Sequence, residues 1–226
     1  TTLADARRVI KEYNVAHRLP KTVVDYLMNV GEEGETPKAF PENTYYRINT
    51  LPDSCIYAKE IAEEMGLSAV ILTSFLEGES RDAGSFFASI AREIQTYGNP
   101  IKPPCVILSS GEVTTQILDN SLITGHGGPS QELTAGFALL AHKAPGICML
   151  SIDSEGTDGT TLVAGGLTDS ATYPAAVSKD IDLHAALRGH ACYEALSALG
   201  DTIFTGNTGT NLCDFNILYV PERPKK

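Results

Sequence analysis

Apolar residues recur every three or four positions through residues 80–97, placing Phe86, Phe87, Ile90 and Ile94 on one face, and this spacing predicts an amphipathic helix. The same spacing in residues 54–65, stopped by Gly66, predicts another. Residues 45–49 and the short apolar run 69–74 read as strands, so the segment from residue 45 onward reads β-α-β-α. Upstream, Thr2 can cap a helix over residues 4–13, with Asp5 favouring its dipole. A second helix fits residues 21–29, after Pro20 and before Gly31, and the Gly-, Glu- and Pro-rich stretch 31–43 reads as a loop.

Lys102, Pro103 and Pro104 interrupt this pattern, and the chain is divided there into segments 1–104 and 105–226. Residues 105–109 and 113–118 read as two strands meeting at a turn around Gly111. A helix over 130–142 follows the glycines at 125, 127 and 128, and 146–152 is an apolar strand. Short helices are expected at 173–178, 183–188 and 192–199, the last strands at 202–205 and 215–220, and a frayed polar tail from 221 to 226. Strands alternate with helices, so the expected class is α/β, a layered α/β/α fold with a largely parallel sheet. Such sheets present ligands at the carboxyl ends of their strands.

Composition narrows the partners. Apolar residues are 42% of the chain, charged residues 20%, and the net charge is −11. That balance argues against nucleic acid and anionic membranes, which require a basic face. No apolar run reaches the ~20 residues of a spanning helix, and no secretory leader is visible. The five cysteines are widely spaced without a Cys-x-x-Cys pair, which argues against zinc and for buried thiols in a reducing cytoplasm. The chain opens at Thr1 without Met, which suggests a fragment, a processed chain or a trimmed one.

Chemistry is concentrated in four loops. Ser110, Gly111 and Glu112 follow a strand, where a carboxylate can orient a substrate hydroxyl or stand as a polar hairpin in solvent. Gly127 and Gly128 precede a helix whose first turn holds Gln131 and Glu132; backbone N–H groups there can receive an anion, with His126 beside them. The Gly-Lys-Ser/Thr ending of a Walker loop is absent. Residues 154–159 set Thr157 and Asp158 between glycines; Asp158 is a candidate for Mg²⁺ or substrate, or for an Asx turn closing on its own backbone. Thr208, Gly209, Thr210 and Asn211 offer hydroxyls and backbone donors suited to phosphate or carboxylate. No nucleophile elbow or dinucleotide fingerprint is present, and His17, His142, His184 and His190 read as isolated surface or capping residues.

In order and content these loops resemble the MOFRL glycerate 2-kinases, some of which are labelled hydroxypyruvate reductases. The resemblance rests on Glu77-Gly78-Glu79 with Arg81 and Gly84, then Ser110-Gly111-Glu112, Gly127-Gly128 with Gln131-Glu132, Ser154 through Gly159 with Ala164-Gly165-Gly166 and Asp169, and Thr205-Gly206 with Thr208 through Asn211 and Asp214. It implies phosphoryl transfer from ATP, with Mg²⁺, to the 2-hydroxyl of glycerate in a cleft between two α/β domains. Glu112 and Asp158 are then the catalytic candidates, Asp158 the metal ligand, and the glycine-rich loops the substrate and phosphate contacts. The family's N-terminal half, with its glycine-rich loop and lysine, has no counterpart here, so that half is an expected partner, alongside the hydroxy acid, the nucleotide and a possible second copy of the chain. Pro129 stands where many members carry Arg, and Leu162 where a carboxylate is common. Losing an arginine that stabilises a transferring phosphoryl group can cost ~10³ in rate, so the isolated chain is expected to be inactive. The alternatives are a non-catalytic binding module and a hydroxypyruvate reductase.

Overall fold

The fold is described from a computed structural model over residues 1–224; the last two residues of the polar tail lie outside the described residues. The chain forms two compact units, Thr1–Arg47 and Ile48–Lys226. In the first, Thr2 and Asp5 close a capping box on helix α1 (Leu3–Glu12), each side chain accepting from the other's backbone N–H. Helix α2 (Lys21–Asn29) follows, and Arg7 donates to the Leu27 carbonyl at 2.7 Å, tying α1 to the end of α2.

The second unit is built on one six-stranded sheet. Helix α3 (Leu51–Glu64) leads into strand β1 (Ser68–Glu79), helix α4 (Ser80–Tyr97) and strand β2 (Cys105–Thr114). Then come helix α5 (Pro129–Ala141), strands β3 (Cys148–Asp153) and β4 (Gly165–Asp169), helices α6 (Thr172–Ser178), α7 (Leu183–Arg188) and α8 (Cys192–Leu199), and strands β5 (Thr202–Ile203) and β6 (Asp214–Val220). The strand order is β1-β2-β6-β3-β4-β5.

The α/β class and the layering hold, but the sheet is not largely parallel. Only β1 and β2, joined by the crossover helix α4, run parallel; β2–β6, β6–β3, β3–β4 and β4–β5 are all antiparallel. The reason is β6, which inserts between β2 and β3 and runs against both. No strand forms at 45–49, where the chain finds no ladder partner. The expected turn at Gly111 is also absent: β2 continues through it, and the residue is glycine because a Cβ there would lie 2.2 Å from the Leu76 carbonyl oxygen of bulged β1. Sequence reading gives no strand at 165–169, a segment opened by two glycines, and pairing with β3 makes β4 there. The division expected at residue 104 cuts between two strands of one sheet, so it does not coincide with the compact units.

Alternation along β2 sorts the core. Cys105 and Ile107 face α4 and α5, joining Phe87, Ile94, Leu133, Phe137, Met149 and Leu218; Val106 and Leu108 face α3, joining Cys55 and Ala62. Helix α5 is sandwiched among the sheet, α4 and a smaller cluster with α6–α8, so every residue from Ser130 to Ala138 is buried. Helices α4 and α5 approach so closely that both contact points are glycines. A Cβ on Gly84 would fall 2.0 Å from the Leu133 carbonyl oxygen, and one on Gly136 would fall 2.4 Å from that of Arg81.

This contact sets two effects against each other in Gly136→Ala. Alanine gains about 1 kcal/mol of helix propensity, while overpacking costs about 1–3 kcal/mol. Because the clash is with backbone, the expected outcome is net destabilisation, read as a lower urea midpoint with an unchanged slope.

Candidate functional site

The topology gathers the polar loops at one end of the sheet. Gly111 of β2 pairs with Asp214 of β6, and Asp214 pairs with Asp153 of β3, so the end of β2, the start of β6 and the end of β3 lie side by side. The loop after β3 and the loop before β6 therefore leave the same edge and pack on each other. Asn211 Nδ2 donates to Glu155 Oε2 at 2.9 Å, and Leu212 N donates to Ser154 Oγ at 2.6 Å.

Asp158 links this edge to helix α5. Its Oδ1 accepts from Ser130 N at 3.1 Å; its Oδ2 accepts from Gln131 N and Gln131 Nε2, both at 2.9 Å. The carboxylate thus satisfies the first free amides of the helix and complements its dipole. Gln131 is fully buried and also donates to Thr161 Oγ1 at 3.0 Å. The glycines beside this cap permit the loops to cross. A Cβ on Gly128 would sit 2.4 Å from Asp158 Cγ, and one on Gly159, whose φ is +60°, would sit 2.2 Å from the Gly127 carbonyl oxygen. The expected anion seat at this helix start is therefore filled by the protein's own carboxylate. With three donors on its two oxygens and 1% exposure, Asp158 does not fit a magnesium ligand. Among the described residues no cluster of three His, Cys, Asp or Glu side chains is arranged to hold a metal.

Burial perturbs the neighbouring carboxyls. It pushes Asp158 up to about 6 and Asp214 up to about 7, against the backbone hydrogen bonds that pull each down. Asp153 is raised for the same reason. Asp214 Oδ2 accepts from Val113 N at 2.8 Å, and its other oxygen receives the Ser130 hydroxyl at 3.4 Å.

Two hollows lie beside α5. The first, about 290 Å³, is lined by Thr115, Ile117, Gly127, Gly128, Glu132 and His190 among others. The second, about 440 Å³, is lined by Arg81, Gln116, Thr124, Arg188, Gly189 and His190. His190 belongs to both. Its Nδ1 lies 2.8 Å from Glu132 Oε1, while Glu132 Oε2 is buried without a hydrogen-bond partner. Burial raises the Glu132 carboxyl, opposed by the His190 contact. His126 is exposed instead, and Glu194 fixes it, accepting from its backbone N–H at 3.0 Å.

Of the residues singled out from sequence, Gly127, Gly128 and Glu132 line a hollow. Glu112 is exposed at the sheet edge, next to Cys213. Ser110 turns to the opposite face, its hydroxyl donating to the Leu51 carbonyl at 3.3 Å. Thr157 bonds Glu155 at 3.3 Å, and Thr208, Gly209, Thr210 and Asn211 form an exposed loop resting on residues 154–155. Sequence reasoning missed Arg188 and His190 as site residues; the left-handed backbone of His190, φ +50°, follows Gly189 and leaves no sequence signature.

Fold and site define a mixed α/β protein whose polar loops meet at one sheet edge, beside one hollow lined by the buried Glu132 and another lined by the part-buried Arg81 and the exposed Arg188. Residues 105–214 match the MOFRL family, and the chain carries a domain of that family. Across 99% of its length the chain is 35% identical to the glycerate 2-kinase of Pyrococcus horikoshii, covering 50% of that protein. Across 96% it is 32% identical to the D-glycerate 2-kinase of Thermotoga maritima, covering 49%. A relative from Agrobacterium vitis, 33% identical over 97% of the chain, carries the name hydroxypyruvate reductase. The crystal structure of the Thermotoga maritima glycerate kinase superposes on 97% of the chain with a TM-score of 0.80 at 31% identity. The chain spans about half the length of the glycerate 2-kinases it matches.

Replacing Asp158 by alanine strands three donors at the buried start of α5, and a loss of about 3 kcal/mol is expected, read by urea unfolding. A second outcome concerns pH. The raised pKa of Asp214 means the fold keeps a proton that the unfolded chain releases near pH 4. Its contribution to stability is full below that pH and is lost as pH rises through about 7. Asp214→Asn, neutral throughout, is expected to gain stability relative to the parent as unfolding is measured from pH 4 to pH 8.

Proposed function

We propose that this chain supplies one wall of a glycerate 2-kinase site, acting in phosphoryl transfer from ATP to the 2-hydroxyl of glycerate together with an N-terminal kinase half. The observation that carries this reading is the convergence of the family's ordered loops at one sheet edge, in a chain aligned along nearly its whole length with half of two glycerate 2-kinases. Phosphoryl transfer is mainly positioning and charge stabilisation. The exposed loop from Thr208 to Asn211 offers backbone and hydroxyl donors to phosphate oxygens, and the exposed Glu112, touched by the Cys213 thiol, can orient a hydroxyl. Arg81 and Arg188 supply cationic groups beside the hollows. Asp158, Gln131 and Gly128 act indirectly, by fixing the start of α5 against the loop. Magnesium would accompany the nucleotide rather than reside on Asp158.

Pro129 lines the first hollow where the resemblance places an arginine, which supports inactivity of the chain alone. The five free cysteines support a reducing compartment, the cytoplasm. Among the described residues no helix is long and apolar enough to cross a membrane.

The test mixes the purified chain with a separately expressed N-terminal half of the Thermotoga maritima kinase and follows 2-phosphoglycerate by phosphorus NMR. Product is expected only with both halves, ATP, magnesium and glycerate. Calorimetry without heat from nucleotide, glycerate or hydroxypyruvate would argue for a non-catalytic module, and NADH oxidation with hydroxypyruvate would argue for a reductase.

A further inference from the structure

An antiparallel sheet with one solvated face turns apolar residues inward and polar ones outward. Strands β6, β3 and β4 do the reverse. Asn216, flanked on its row by Ser109 and Ser151, points inward with them and all three are buried; Thr168 is buried too and donates to the Thr134 carbonyl of α5. The outward row of Ile217, Leu150 and Leu167 continues from Leu108, which α3 covers. Phe215 beside Ile152, and Tyr219 beside Cys148, extend this floor along the strands. None of these outward residues is charged, and each is part-exposed or exposed. Helix α3 packs on β1 and β2, whereas α4 and α5 pack on the other face. Helix α3 also flanks the floor. It runs against β1, into which it leads, and the β1–α4–β2 crossover takes the right-handed path of such units on the opposite face. That combination turns Tyr57, Ile61 and Met65, each four residues apart, toward β6, and the paired Lys59 and Glu63 toward the free edge of β1. The three apolar side chains are exposed, and Glu60 and Glu64 line the outer side of the helix above them.

The floor has the dimensions of one helix. Three strands and about six residues along each give about 14 Å by 20 Å, against a helix about 10–12 Å across whose 13 residues span about 20 Å. The floor is about 300 Å², well short of the ~800 Å² per partner of a stable dimer, so it does not by itself seat a second copy sheet to sheet. Helix α3 of a second copy does not fit either, because its outer side carries Glu60 and Glu64. We propose that this slot receives one amphipathic helix from the N-terminal kinase half, its apolar side on the floor and against Tyr57, Ile61 and Met65, and a basic border beside Glu60 and Glu64. The source of the helix rests on the kinase reading: the chain spans about half of each glycerate 2-kinase it matches, and those proteins hold as much sequence again to supply it. The slot itself rests on the geometry of this chain. The two halves then meet at the sheet face as well as at the loop edge, and the sheet-face contact holds them together without ligand.

The test labels the methionine methyls of the full chain with ¹³C and adds the unlabelled N-terminal half of the Thermotoga maritima kinase, shown folded by circular dichroism, without nucleotide or glycerate. The chain has three methionines, Met28, Met65 and Met149. The Met65 signal is expected to move, and that of Met149, buried on the opposite face, to stay. By calorimetry Ile61→Glu and Leu167→Glu are each expected to weaken association about tenfold or more, since each sets a charge in an apolar contact. Both positions are exposed, so the variants are expected to keep the parent's urea midpoint. Glu60→Lys combined with Glu64→Lys is expected to weaken association about fivefold, and Lys59→Ala, on the other flank, to leave it unchanged. Halves that associate and yield 2-phosphoglycerate, with Met65 unmoved and affinity kept in Ile61→Glu and Leu167→Glu, overturn the slot and leave the kinase reading intact. Association that moves Met65 and is lost in those variants, with no 2-phosphoglycerate once ATP, magnesium and glycerate are added, upholds the slot and overturns the kinase reading. Neither association nor product overturns both. Sedimentation velocity is run on the chain alone: a dimer that Ile61→Glu and Leu167→Glu each dissolve overturns the proposed occupant in favour of a second copy.

Discussion

The start of helix α5 is the constraint on which the second unit depends. A helix buried from Ser130 to Ala138 cannot send its free amides to water, so they require a partner from the protein. Asp158 is that partner, and to reach α5 its loop must cross the Gly127-Gly128 segment at distances only glycine allows. The cap therefore decides the path of the loop after β3, which in turn supports the loop before β6. Both fall on one sheet edge because β6 runs antiparallel between β2 and β3.

Electrostatically the unit is divided. The chain carries a net charge of −11, and Asp153, Asp158 and Asp214 are concentrated where burial raises all three. Holding several carboxylates together is tolerable because backbone donors and partial protonation offset the repulsion. Arg81 and Arg188 line a separate hollow together with His190. An acidic protein can thus retain a local cationic hollow, and net charge alone does not describe what that hollow attracts.

Much of this was legible in the sequence, and the remainder was not for identifiable reasons. Helices α2, α4, α7 and α8 follow from periodicity and end signals, and the capping box at Thr2 is a local motif. The direction of β6 depends on strands far away in sequence, so alternation of helices and strands misrepresented the sheet as parallel. Strand β4 has no apolar run; its pairing with β3 makes it a strand. Gly111 looked like a turn and is a close approach between strands. At the site, the loops were visible as loops, but a sequence does not say which group fills which. Asp158 reads as a metal or substrate ligand, or as an Asx turn, until α5 is placed over it, and His190 reads as isolated until Glu132 is brought beside it.

The central position of β6 has a consequence for how the molecule is made. It is the last of the six strands to leave the ribosome, yet it alone bridges β2 to β3. Until it emerges, the nascent chain holds two incomplete half-sheets, each with an unpaired apolar border open to wrong partners. Closure of the core is thus a late event in synthesis, and the interval before it is when a chaperone has most to protect.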